Sequence, residues 1–220
     1  MIALPSPEGT KLYVSQIIDN LPDLALFFGS DIETIVNYAQ RHFKASHRQW
    51  EWLTVRAMVR QVLGSAVRVD YDNSGKPTLT RCPAASDYKD ILPHISISHS
   101  KTHAAILLSS RPCIGVDIEQ ISPRILRLAN RIAQPAELPP AFHSLSEAEQ
   151  AKTLTMIWTI KEAVYKSLDN QEHFDLLTDV RVTPSSVLSF PATAELDIKG
   201  KTGITLAYCQ QYCNSVIAIV

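Results

Sequence analysis

The chain has 220 residues, 45% of them hydrophobic and 20% charged, with a net charge of -1. That balance describes an ordinary globular protein rather than a disordered or fibrous one, and near-neutrality argues against wholesale nucleic-acid binding by a basic surface. No apolar run approaches the roughly 18 residues of a membrane span, and the cysteines Cys82, Cys113, Cys209 and Cys213 form neither a disulfide framework nor a C-x-x-C pair.

The opening "MIALPSPEGTKLYV" lacks a basic segment followed by an apolar core, so it does not read as a secretory signal. A cytoplasmic protein with reduced thiols is the expectation. Residues 30–43 open with Ser30 and Asp31 as capping residues and carry Ile32, Ile35, Val36, Ala39 and Phe43 at helical spacing. Residues 46–64 predict a longer helix, with Ser46 as its cap and Gly64 as its stop. "DNSG" (72–75) is a turn, and strands follow at 94–100, 104–110 and 113–119. Ser122 at a cap and Pro123 at the first helical position predict a helix over 122–133. A Pro-rich loop at 134–140 leads to a helix over about 146–168, and the last third alternates as β-strands, "VRVT", "AELDI", "GITLAYC" and "SVIAIV". Strands and helices in both halves predict an α+β fold with a lobe boundary near residue 110.

Charged residues recur at spacings that allow chemistry. On the strand "GVDIE" (115–119), Val116 and Ile118 share one face while Asp117 and Glu119 share the other, the carboxylates roughly 7 Å apart. Either this is an amphipathic strand with a wet acidic face, or the pair converges on a cation such as Mg²⁺, which takes oxygen ligands. Gly115 can mark close backbone approach to a ligand. Lys76 follows a Gly-containing turn and can be a solvated lysine or a phosphate contact. Ser98, His99 and Ser100 offer anion donors or bond the local backbone. His99 and His103 have an H-x-x-x-H spacing, but on a strand it does not make a zinc site. Arg56 and Arg60 lie one turn apart on the long helix, flanked by Arg41, Lys44 and Arg48, a set that a charged helix face explains. In "WTIKEAVYK" (158–166), Glu162 and Lys166 stand at i and i+4, the order of a surface ion pair worth about 0.2–0.5 kcal/mol.

Taken together, "GKP" (75–77), "SHS" (98–100), "GVDIE" (115–119) and "WTIKEAVYK" (158–166) resemble, in order and spacing, the 4′-phosphopantetheinyl transferase superfamily, in its larger, surfactin-synthetase-activating type. The strong part of the resemblance covers about 75–166. It implies two pseudo-symmetric lobes, each a small antiparallel sheet packed with a long helix: 1–110 with coenzyme A phosphate contacts, 111–220 with the metal and catalytic motifs. It implies a monomeric enzyme, a holo-[acyl-carrier-protein] synthase. Such an enzyme moves the phosphopantetheine arm of coenzyme A onto a serine of an apo acyl- or peptidyl-carrier protein and releases adenosine 3′,5′-bisphosphate. By that resemblance Asp117 and Glu119 bind Mg²⁺, Glu162 completes the metal site or activates the carrier serine, and Lys166 assists the leaving phosphate. Lys76, Ser98, His99 and Arg48 would hold the phosphates of coenzyme A, and Lys161 matches the motif without a defined role. The chain departs from the family at Ser96, where many relatives carry asparagine, and at "QPAEL" (134–138), which replaces an aromatic-rich segment; neither touches the expected chemistry.

Carrier proteins of this class are acidic, and Arg124, Arg127 and Arg131 form an i, i+3, i+7 basic stripe near Ile125, Leu128 and Ile132 that is either a dock for one or a surface helix. The alternative functions are a coenzyme A or carrier-binding module without transfer, and a Mg²⁺-dependent phosphoester hydrolase using the same acidic pair. No nucleic-acid or membrane partner is expected.

Overall fold

The computed structural model describes residues 1–82, 91–169, 171, 173–183, 190–202 and 205–220. The chain divides into two compact units, Met1–Pro112 and Cys113–Val220. Each holds an antiparallel sheet and one long helix, the α+β class that the patterning predicts. None of the described helices is long and apolar enough to cross a membrane.

In the first unit, β1 (Ile2–Leu4), β2 (Thr10–Gln16), β5 (His94–His99) and β6 (His103–Ser109) form one sheet in the order β1-β2-β6-β5. The strands β3 (Val67–Tyr71) and β4 (Pro77–Arg81) make a separate hairpin. The helices are α1 (Leu21–Phe28), α2 (Ile32–His42) and α3 (Ser46–Leu63). Helix α3 has two apolar sides because it is sandwiched. Val55, Met58 and Val59 pack on Val67, Val69, Ile95, Ile106 and Leu108, while Leu53 and Ala57 pack on Leu24, Phe28 and Ala39.

Local signals set the ends of these helices less simply than expected. The cap of α3 is Ala45, not Ser46; its carbonyl accepts from Arg48 and Gln49, and Ser46 is the first helical residue. Asp31 precedes α2 without capping it through its side chain; its carboxylate takes the Arg60 guanidinium at 3.0 Å instead. Gly64 does stop α3, at φ +88°, a conformation that glycine adopts without steric cost.

In the second unit, the strands are β7 (Val116–Gln120), β8 (Val180–Thr183), β9 (Ala192–Ile198), β10 (Thr205–Tyr212) and β11 (Ser215–Ile219). Their order is β7-β11-β10-β9-β8. Gly203 and Ile204, expected at the start of β10, lie outside the described residues. The predicted helix over 122–133 is a 3-10 segment, Pro123–Leu128, running into the short α4 (Ala129–Ile132). Ser122 does cap it, accepting from the Arg124 N–H at 3.4 Å.

Helix α5 (Glu147–Ser167) crosses this sheet. Its start is a capping box: Ser146 Oγ accepts from the Glu149 N–H, and the Glu149 carboxylate accepts from the Ser146 N–H at 3.0 Å. Leu154, Ile157, Ile160, Ala163 and Val164 bury its underside against Val180, Val182, Ala194, Leu196, Ala207, Val216 and Ala218.

Candidate functional site

The site of the second unit follows from how β7 meets α5. In the β7–β11 ladder, Asp117 stands opposite Ala218 and Glu119 opposite Val216. Directly paired residues of an antiparallel ladder point to the same side, and Val216 and Ala218 lie in the core beneath α5. The carboxylates therefore face the helix rather than forming a wet outer face. Asp117 is 3% exposed.

Gly115 explains how strand and helix come so close. A Cβ at this position would overlap the carbonyl oxygen of Ala163 and lie 2.8 Å from that carbonyl carbon and 3.0 Å from the Ser167 nitrogen. The close approach that glycine allows here is to the backbone of α5, not to a ligand as the sequence reading expects. Gly115 and Val220 also exchange backbone hydrogen bonds of 2.9 and 3.0 Å, which fix the strand at that point.

From α5, Trp158, Glu162 and Lys166 project at intervals of four residues, hence toward one face. Lys166 Nζ donates to Asp117 Oδ1 at 2.7 Å, and the Trp158 side chain favours the charged form of the Glu119 carboxyl. Glu162 lies between these two rungs in the helix sequence. Burial, followed by repulsion from Asp117, raises the Glu119 carboxyl to about 7. The same two causes push Glu162 upward, with Lys166 opposing them.

Mg²⁺ is the ion that the resemblance implies. The donors fit its chemistry, being hard carboxylate oxygens, and the burial and repulsion from Asp117 that raise two of the three carboxyls are costs that a cation offsets. Among the described residues, no three His, Cys, Asp or Glu side chains are already gathered into a ligand cage. One Asp117 oxygen instead carries the Lys166 ammonium.

Lys161 has a partner that the sequence reading misses. Its side chain is wholly buried, and its Nζ donates to Glu137 Oε2 at 2.7 Å. Glu137, also wholly buried, accepts the Gln134 N–H on Oε2 at 2.7 Å and the Val182 N–H on Oε1 at 2.8 Å. The segment "QPAEL" thus contacts the helix that carries the motif, through side chains buried away from the proposed reacting groups. A glutamate among apolar residues in a Pro-rich loop was the signal available.

In the first unit, the structure brings Arg48 and His99 together, with Arg48 Nη1 3.1 Å from His99 Nε2. Glu51, absent from the sequence reading, joins them, accepting Arg48 Nη1 at 2.9 Å and standing 3.5 Å from His99 Nδ1. Its i, i+3 spacing from Arg48 was the legible cue. Ser98 is 4% exposed and lies on the face of β5 opposite to Ile95 and Ile97, which pack on α3, whereas His99 is partly exposed at the strand end. Lys76 sits in the β3–β4 turn, where Asp72 Oδ1 accepts its backbone N–H at 2.9 Å and Gly75 adopts φ +82°. His99 and His103 fall on neighbouring antiparallel strands rather than one helix turn.

Comparison with known proteins bears on the same region. Residues 113–215 match the family model of the 4′-phosphopantetheinyl transferase superfamily. The chain is 28% identical over 137 residues to a putative 4′-phosphopantetheinyl transferase of Synechocystis sp., covering 58% of this chain and 52% of that protein. It is 30% identical over 121 residues to the 4′-phosphopantetheinyl transferase AcpT of Escherichia coli K12, covering 54% and 57%. It is 31% identical over 125 residues to AcpT of Salmonella typhi, covering 54% and 58%. The matches span just over half the length of these curated relatives. Asp117, Glu119, Glu162 and Lys166 all lie inside the region that is similar to the 4′-phosphopantetheinyl transferase superfamily.

Proposed function

We propose that this protein transfers the 4′-phosphopantetheine group of coenzyme A to a serine of an apo acyl- or peptidyl-carrier protein, with Mg²⁺, releasing adenosine 3′,5′-bisphosphate. The observation that carries the reading is the facing of Asp117 and Glu119 on β7 by Trp158, Glu162 and Lys166 on α5.

Asp117, Glu119 and Glu162 would hold Mg²⁺, which would neutralise pyrophosphate charge. The serine oxygen forms a bond to the phosphorus on the pantetheine side, and the bond from that phosphorus to the bridging oxygen breaks. The serine proton goes to a base, which is Glu162 in the alternative where it does not complete the metal site, its carboxyl then being pushed upward by burial. The departing phosphate gains charge, which the Lys166 ammonium offsets. In the first unit, Arg48, His99, Lys76 and Ser98 are assigned to the phosphates of coenzyme A. An anion near Arg48 and His99 would displace Glu51 from them.

On the second unit, Arg124, Arg127 and Arg131 are exposed beside Leu128. In a 3-10 segment side chains at i and i+3 line up, so Arg124 and Arg127 present adjacent charges suited to an acidic carrier. The test is incubation with coenzyme A, Mg²⁺ and a panel of apo-carriers, read by intact mass. A carrier gaining the phosphopantetheine mass supports the reading, whereas free phosphopantetheine formed without any carrier supports a hydrolase.

A further inference from the structure

We propose that Lys161 and Glu137 act as a positioning pair that sets the height and rotation of α5, and through it the placement of Glu162 and Lys166 against Asp117. The proposal deepens the transferase reading and rests on it for its kinetic consequences.

One carboxylate gathers three donors from three separate segments. Glu137 Oε2 takes Lys161 Nζ from α5 and the Gln134 N–H from the turn before it. Glu137 Oε1 takes the Val182 N–H from β8. Neither charged side chain has any exposed surface, so neither meets substrate or solvent. Apolar packing alone would let a helix slide or roll on a sheet, because dispersion contacts are non-directional. Hydrogen bonds to an ion are directional and short, and this one joins the middle of α5 to an outer strand of the sheet.

Lys161 immediately precedes Glu162, so the two side chains diverge by about 100° around the helix, one turn being 3.6 residues. The pair grips one side of α5 while Gly115 admits the same helix to β7 on another. A roll of α5 sufficient to break the 2.7 Å bond to Glu137 would also move Lys166 relative to Asp117. Lys161 is thus a residue that acts through its neighbours, which accounts for a lysine inside the motif that the proposed chemistry does not use.

Two variants test this. K161M/E137L replaces both charges by apolar groups and avoids an uncompensated buried ion. K161R keeps the charge but places a longer, forked head in the same closed space. In each folded variant the melting temperature, hydrogen exchange over 158–166, and kcat and KM for transfer are measured. The expected result is exchange over 158–166 faster than in the wild type, with kcat lowered on the order of 10²-fold and KM for coenzyme A within about twofold. Wild-type exchange and kcat in either folded variant overturn the proposal and leave the pair a stabilising contact only. If K161M/E137L does not fold, K161R decides by the same readings. If the wild type itself transfers nothing to any carrier, the transferase reading fails, and the exchange data still decide whether the pair positions α5.

Discussion

Lys166 Nζ lies 2.7 Å from Asp117 Oδ1, so the last turn of α5 is tied to an edge strand of the sheet by an ion pair whose acid is almost entirely buried. The i, i+4 spacing within the helix suggests Glu162 as the partner of Lys166, but the hydrogen bond goes across to β7. The ammonium there offsets a site crowded by three carboxylates.

A cation that substitutes for this ammonium should therefore rescue its loss. K166M is expected to lower the melting temperature in a metal-chelating buffer and to lose much less in the presence of Mg²⁺. Differential scanning calorimetry with and without Mg²⁺ measures this. An equal loss in both buffers would mean that Mg²⁺ does not occupy these carboxylates.

Gly115 leads to a prediction about stability. In G115A the added methyl meets the Ala163 carbonyl, which belongs to the helix backbone and cannot rotate away. A cost of roughly 3 kcal/mol, the upper end for overpacking, is expected from urea unfolding. A cost below about 1 kcal/mol would show that α5 and β7 separate readily.

The raised Glu119 carboxyl makes the metal-free protein pH-dependent. Its folded-state value of about 7 exceeds its ordinary value of 4.5, so the folded protein retains a proton that the unfolded chain releases. The associated stability is fully present below the ordinary value and is lost as pH rises through about 7. Glu162, shifted the same way, adds to the trend. Urea unfolding in chelator should show stability falling across that window in the wild type and falling less in E119Q. Identical pH profiles would contradict a raised Glu119.

The basic segment predicts a separation of substrates. R124E/R127E should raise KM for the carrier several-fold and leave KM for coenzyme A unchanged, since charge at an interface rim acts chiefly on encounter. Steady-state kinetics with each substrate varied in turn will show it. An unchanged carrier KM rules out this dock.

Local patterning revealed what is local. The end of α3 was legible from the Gly64 stop, and the extent of α5 from the helical segment that follows the Pro-rich loop. Alternation showed that Asp117 and Glu119 share a side. It could not show that this side lies under α5, because that depends on pairing with Ala218 and Val216 a hundred residues away in sequence. The same limit hid Glu137, whose partners Lys161 and Val182 are distant along the chain. Ser46 misled because a cap needs extended backbone, which Ala45 has at φ -86° and ψ 125°. At Gly115 the legible property is tolerance of close approach, and its neighbour, the α5 backbone, is set by tertiary packing.

The central claim is that the carboxylates facing each other across β7 and α5 carry phosphopantetheine transfer. Intact mass spectrometry of an apo-carrier incubated with coenzyme A, Mg²⁺ and wild type, D117A or E162A protein tests it most directly. The carrier is expected to gain one phosphopantetheine with the wild type and almost none with either folded variant. Full modification by D117A or E162A, or no modification of any carrier by the folded wild type, would contradict it.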